Sequence, residues 1–182
     1  AAGAAAISCL TEPDYFLGSN VYLTEIAQNV NLPVLRKDFT VDAAQIYEAK
    51  LIGADAVLLI TALLDEERLK EYLTIAQNVG LDVLTEVHDE AELETALNAG
   101  AEIIGVNNRN LRDFTVDLTT SLRLKKLVPP GITFVAESGI KTRADTAQLE
   151  AAGADAVLIG ETLMKSSNVQ AALKELAGGQ NG

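Results

Sequence analysis

One short phrase recurs along this chain and constrains its fold more than any other feature. Lys50-Leu51-Ile52-Gly53-Ala54-Asp55 leads into Ala56-Val57-Leu58-Leu59-Ile60, and Leu97-Asn98-Ala99-Gly100-Ala101-Glu102 leads into Ile103-Ile104-Gly105-Val106. Ala151-Ala152-Gly153-Ala154-Asp155 leads into Ala156-Val157-Leu158-Ile159-Gly160, and Val79-Gly80-Leu81-Asp82 before Val83-Leu84 is a looser copy. Each glycine stands where a helix should stop, because glycine takes the left-handed C′ conformation without steric penalty. Each apolar run that follows is short, unbroken and rich in Val and Ile, as expected of a strand covered on both faces.

Amphipathic stretches separate these runs. Asp42 with Gln45, and Asp89 with Glu92, have the spacing of a capping box, and Thr142 with Asp145 is a weaker match. The order helix, glycine, strand therefore repeats, and right-handed crossovers make the sheet parallel. Seven strands are expected, starting near Ala6, Val34, Ala56, Val83, Ile103, Thr133 and Ala156. Nothing in their spacing marks a second domain, so residues 1–182 read as one unit. Seven parallel strands fit either an open doubly wound sheet or most of a closed barrel, and a full eight-stranded barrel usually takes roughly 250 residues. The opening Ala1-Ala2-Gly3 reads as a helix end without its helix, and residues 178–182 as a flexible tail.

Composition narrows the function. A net charge of −12 disfavours nucleic acid and anionic lipid as partners. The single Cys9 allows neither an internal disulfide nor a thiolate metal cluster and fits a reducing compartment. No apolar run approaches the roughly 18 residues of a membrane span, so the expectation is a cytoplasmic protein.

In parallel α/β folds ligands bind beyond the carboxyl ends of the strands. The polar residues that close the apolar runs are Arg36, Lys37 and Asp38; Thr61; Glu86 and His88; Asn107, Asn108 and Arg109; Glu137 and Ser138; and Gly160 and Glu161. A lysine, carboxylates and amides on one rim suit acid–base chemistry on a small molecule, with no metal or cofactor required. Each has a plainer reading. Lys37 and Asp38 form a structural ion pair, His88 neighbours a helix cap, and Asn107 and Asn108 satisfy loop backbone. Tyr15, Phe16, Tyr22 and Tyr47 read as core or helix-packing residues. Glu86 and Glu137 each interrupt an apolar run, where an unpaired carboxylate is costly. Glu137-Ser138-Gly139-Ile140 and Ile159-Gly160-Glu161-Thr162 place glycines where backbone amides can approach an anion.

Several of these segments together resemble the indole-3-glycerol-phosphate synthase family. They are Leu35-Arg36-Lys37-Asp38-Phe39, Leu84-Thr85-Glu86-Val87-His88, Gly105-Val106-Asn107-Asn108-Arg109-Asn110-Leu111 and Ala136-Glu137-Ser138-Gly139-Ile140. The opening Ala5–Glu12, the run Gln45–Ala49 and the closing Leu158–Met164 match as well, so the likeness runs along nearly the whole chain. The resemblance implies a (β/α)8 barrel of tryptophan biosynthesis, with seven of the eight strands in this chain. It implies a carboxy-lyase that closes 1-(2-carboxyphenylamino)-1-deoxyribulose 5-phosphate to an indole with loss of carbon dioxide and water. By position, Lys37 would be the general acid, Glu86 would hold its ammonium, Asn107 would bond the substrate, and Glu137 would position hydroxyls or catalytic groups. Ser138, Gly139, Gly160 and Glu161 would surround the phosphate, and Phe39 and Leu111 would wall the anthranilate ring. Fusion to or association with a neighbouring enzyme of the pathway is a further implication.

The family's first strand carries a glutamate, a lysine and a Ser-Pro-Ser segment ahead of the point where this chain begins. The chain therefore reads as an N-terminally incomplete barrel lacking the first βα unit. Two alternatives follow: an inactive structural or assembly fragment, or another phosphosugar-binding barrel such as phosphoribosylanthranilate isomerase, which would share the phosphate end but not Leu35–Phe39.

Overall fold

The computed structural model describes residues 3–110 and 113–179. Its strands are β1 (Ile7–Leu10), β2 (Val34–Lys37), β3 (Ala56–Ile60), β4 (Asp82–Val87), β5 (Ile103–Asn107), β6 (Thr133–Glu137) and β7 (Ala156–Leu158). The helices are α1 (Asn20–Asn29), α2 (Ala43–Leu51), α3 (Glu66–Asn78), α4 (Glu90–Ala99), α5 (Thr119–Leu124), α6 (Arg143–Ala151), α7 (Glu161–Met164) and α8 (Val169–Leu176). Every strand expected from the repeat is present, and no start is displaced by more than one residue.

The strands form one sheet in the order β1-β2-β3-β4-β5-β6-β7, each neighbouring pair parallel. That order decides between the two architectures, since a doubly wound sheet reverses direction at a switch point and this one never does. The sheet also curls. β2 and β6 lie four places apart, or roughly 19 Å across a flat sheet at ~4.8 Å per strand. Yet the Lys37 ammonium at the end of β2 lies 3.2 Å from the Glu137 carboxylate at the end of β6. Only a barrel-like curvature allows that contact.

Curvature separates two apolar clusters. Leu35, Leu58, Ile60 and Leu84 pack inside the bore with Phe39, Ala56, Ile103, Val135 and Leu158. The larger cluster, with Val34, Val57, Leu59, Val83, Ile104, Val106, Phe134 and Ala136, lies between the sheet and its helices. Alternate residues of each strand thus face the bore.

The recurring phrase has a double job. Gly53, Gly100 and Gly153 follow α2, α4 and α6 with φ of +97°, +95° and +88°. Two residues after the first and the last of them, an aspartate clips the preceding strand. Asp55 accepts from Val34 N (2.8 Å) while its own amide donates to Val34 O (2.9 Å). Asp155 treats Phe134 in the same way, at 2.8 and 2.9 Å. The carbonyls of Asp55 and of Glu102, in the equivalent place, reach the following strand instead, accepting from Asp82 N and Thr133 N, each at 3.0 Å.

Local details amend the sequence reading. Thr142 and Asp145 form a complete capping box, as do Asp42 and Gln45. At α4 the reciprocal bond shifts by one residue, and Glu92 accepts from His88 N (2.9 Å) instead of the Asp89 amide. Tyr15, Phe16, Tyr22 and Tyr47 are exposed, not core. Their helices and loop turn these rings outward, and Tyr15 and Phe16 instead gather on Phe39, at 6.3 and 5.4 Å between ring centroids. Gly178 and Gly179 close α8 through bonds to Glu175 O and Lys174 O, while the rest of the expected tail, 180–182, lies outside the described residues. Among the described residues no helix is long and apolar enough to cross a membrane.

Candidate active site

The period of two along a strand selects the site. Leu35, Leu84, Ile103 and Val135 face the bore, so residues at even steps beyond them do too. Those residues are Lys37, Glu86, Asn107 and Glu137, at the carboxyl ends of β2, β4, β5 and β6. Intervening residues point outward. Arg36 bonds Thr11 Oγ1 (3.1 Å), Gln45 O (2.8 Å) and Glu48 (2.7 Å), and it takes Asp38 (3.3 Å) as its partner. Asp38 is therefore not the counterion of Lys37, and neither Arg36 nor Asp38 joins the mouth.

The Lys37 ammonium lies 3.2 Å from Glu86 Oε2 and 3.2 Å from Glu137 Oε2. Asn107 Nδ2 donates to Glu86 Oε1 at 3.0 Å, and its Oδ1 accepts from Arg109 N at 3.0 Å. His88 Nε2 stands 3.3 Å from the same Glu86 oxygen, and its Nδ1 is 2.9 Å from Glu92 Oε2. Asn108 does what the plainer reading of loop asparagines predicts, donating to Glu137 O and Ser138 O and accepting from Ser121 N.

Two carboxylates on one ammonium sit in different surroundings. Burial opposes ionisation of Glu86, but His88, the Lys37 charge and Asn107 outweigh it and hold its pKa at about 2. Burial dominates at Glu137, which Lys37 only partly offsets, and its pKa rises to about 7. Burial also works against charge on Lys37, yet Glu137 and Glu86 together raise its pKa above the ordinary value. Lys37 is thus charged at neutral pH and partly exposed, facing the open mouth.

Two further residues shape the cluster. A Cβ on Gly105 would collide with Glu137 Oε1, so the missing side chain in mid-β5 is the space that the carboxylate occupies. An isolated glycine within an apolar strand was the available signal. The ring of His88 is more than a cap neighbour, since it joins Glu86 to Glu92, and a histidine two residues beyond a strand-end carboxylate was the signal there.

Beside Lys37 opens a cleft of about 690 Å³, walled by Phe16, Arg109, Ser138, Gly139, Gly160 and Glu161 among others. Ser138 and Gly139 both have left-handed backbone (φ +65° and +77°). Gly160 lines the cleft, and a Cβ there would meet nothing within 4 Å. The Glu161 side chain is held by Arg109 (3.1 Å) and Lys165 (2.6 Å). Phe39 packs on the bore cluster at the rim, and Leu111 lies outside the described residues. Among the described residues no trio of His, Cys, Asp or Glu is arranged to hold a metal ion.

Known proteins share both frame and sequence. The chain superposes on 3-hexulose-6-phosphate synthase with a TM-score of 0.76 over 93% of its length and 86% of that chain, at 18% identity, a likeness of fold. It is 60% identical over 178 residues to indole-3-glycerol phosphate synthase of Ruminiclostridium cellulolyticum, covering 98% of this chain and 68% of that protein. The enzyme of the same name from Endomicrobium trichonymphae is 60% identical over 174 residues, covering 96% and 67%. The chain thus spans about two thirds of the length of these relatives. The family model of indole-3-glycerol phosphate synthase matches residues 1–176, and the chain, a (β/α)8-type barrel sheet, belongs to that family.

Proposed function

We propose that this chain carries the indole-forming chemistry of its family, with 1-(2-carboxyphenylamino)-1-deoxyribulose 5-phosphate as substrate and Lys37 as general acid. The observation that carries the reading is the Lys37 ammonium, held at 3.2 Å by two buried carboxylates and facing the cleft. The ring carbon bearing the carboxylate attacks the ketone carbon, and charge develops on the ketone oxygen. A preorganised ammonium stabilises that charge better than water and supplies the proton. Loss of carbon dioxide restores aromaticity and leaves its electron pair in the ring. Elimination of the new hydroxyl as water, with loss of a proton from the neighbouring carbon, completes the indole. Glu86 keeps Lys37 charged and placed, Asn107 braces Glu86 and offers an amide to substrate, and Glu137 is a carboxyl able to exchange a proton near neutrality.

The phosphate fits the opposite wall of the cleft, where Ser138, Gly139, Gly160 and Glu161 offer backbone amides. Neutral donors there suit a chain of net charge −12. Phe39, met edge-on by Tyr15 and at a tilt by Phe16, offers an aromatic wall to the anthranilate ring.

Lys37→Ala is expected to lower kcat by about 10²- to 10⁴-fold, the usual worth of a placed proton donor, with little change in KM. A loss confined to KM would make Lys37 a binding residue. Assays should use the chain alone and joined to the remainder of a longer relative, and crystals soaked in inorganic phosphate should show the anion between Gly139 and Gly160.

A further inference from the structure

His88 is the only histidine in the chain, and both of its ring nitrogens face carboxylate oxygens. Nδ1 is 2.9 Å from Glu92 Oε2 and Nε2 is 3.3 Å from Glu86 Oε1. A neutral imidazole has one nitrogen that can only accept, and that lone pair would point at an anion. The Nε2 contact is an ion-pair approach without hydrogen-bond alignment, and with a carboxylate beside each nitrogen the doubly protonated ring is the form that meets no repulsion. Glu92 is itself fixed, because the same oxygen accepts the His88 amide at 2.9 Å. Ring, backbone and carboxylate form one closed clamp at the start of α4.

The clamp acts on the site through Glu86. Asn107 and His88 converge on Glu86 Oε1, and Lys37 takes Oε2, so neither oxygen has room for a proton. Glu137 differs, for its Oε2 meets Lys37 while its buried Oε1 has no partner. We propose that His88 is a positioning residue that stands as an imidazolium, fixes Glu86 as the permanent anion beside Lys37, and so leaves Glu137 as the carboxyl that holds the exchangeable proton. When the Lys37 ammonium gives its proton to a substrate oxygen, the Glu137 carboxyl can return one to the amine and become the carboxylate. That exchange cannot run through Glu86 while the imidazolium stands beside it.

The groups facing His88 are few. Glu86 approaches from β4 and Glu92 from α4, and Glu137 of β6 acts on the ring through its charge. Asp89, Arg109, Asp117 and Arg123 line the same cavity of about 540 Å³, and the wall beyond β3 contributes Ala62, with nothing to titrate. The two carboxylates in contact decide the balance. Burial alone would favour the neutral ring, but Glu86 and Glu92 raise the pKa to about 9.

A lone histidine makes the test direct. Two-bond ¹H–¹⁵N spectra of the whole chain report both ring nitrogens without assignment ambiguity. Both are expected protonated at pH 7, titrating near pH 9, and Glu92→Gln should bring that titration down by at least about one unit. A carboxyl-labelled titration of His88→Asn should show Glu86 taking up protons at higher pH than in the parent. A ring that titrates near 6.5, or a Glu86 titration that ignores His88→Asn, would overturn the proposal. If His88→Asn does not fold, Glu92→Gln carries the test alone, since it leaves the ring in place. In turnover, which rests on the function proposed above, His88→Asn should lower kcat about tenfold with KM little changed and should remove an alkaline limb near pH 9. The spectra need no turnover, so failure of the clamp and failure of the proposed reaction are told apart.

Discussion

Glu86 and Glu137 have the same chemistry and share one ammonium, and their surroundings hold them in opposite states. For Glu137 the folded pKa of about 7 lies above the ordinary 4.5. The folded chain therefore binds the extra proton between those values, and this carboxyl's contribution to stability is full below pH 4.5 and lost as pH rises through 7. Glu86, held at about 2, contributes above pH 4.5 and loses that contribution as pH falls toward 2. Glu137→Gln, a neutral isostere, should therefore gain in Tm relative to the parent as pH goes from 5 to 8. A difference that stays flat across that range would place the proton elsewhere. From the sequence, both glutamates could be picked out because each ends an apolar run. Which of the two holds a proton could not, because it depends on His88 beyond β4 and on Asn107 and the empty side of Gly105 in β5, which only the fold brings around the two carboxylates. Gly105→Ala should disturb Glu137 and lower kcat at least about tenfold, read with circular dichroism to confirm an intact sheet.

Elements are specified by short phrases that serve twice. The Gly-Ala-Asp phrase stops one helix through glycine and sets the register of the strand before it through aspartate, so a turn signal also fixes which side chains enter the bore. Removing the clip with Asp55→Ala leaves the Val34 amide short of its acceptor and should cost about 1 kcal/mol in a denaturant titration. Asp155→Ala should cost no more, because β7 is less covered than β3. Strand positions were legible for this reason: glycine, aspartate and an apolar run are all local signals. The direction of Arg36 and Lys37 was legible too, in the period of two, although a list of polar strand ends treats them alike. The exposure of Tyr15, Phe16, Tyr22 and Tyr47 was not, since an aromatic ring on an amphipathic stretch carries no mark of which face the fold will cover.

At the scale of the molecule, protection is graded across the sheet. β3 and β7 share nearly the same sequence, Ala-Val-Leu, yet β3 is buried while Ala156 and Val157 of β7 are exposed. Among the described residues β1 and β7 each have a strand on one side only. Backbone amides of β4 and β5 should therefore exchange with deuterium most slowly and those of β7 fastest among the strands. Uniform protection would require the edges to be covered in solution. Chain order also has a consequence for assembly. Lys37 and Glu137 meet across a sequence separation of 100 residues, and the carboxylate, at the end of β6, is made four strands after the ammonium at the end of β2. On a ribosome the ammonium would wait in a half-formed trough until that late segment arrives. Long-range closure of the trough and assembly of the charge cluster are then one event, and a nascent chain stalled before Glu137 would carry the Lys37 ammonium beside one carboxylate instead of two.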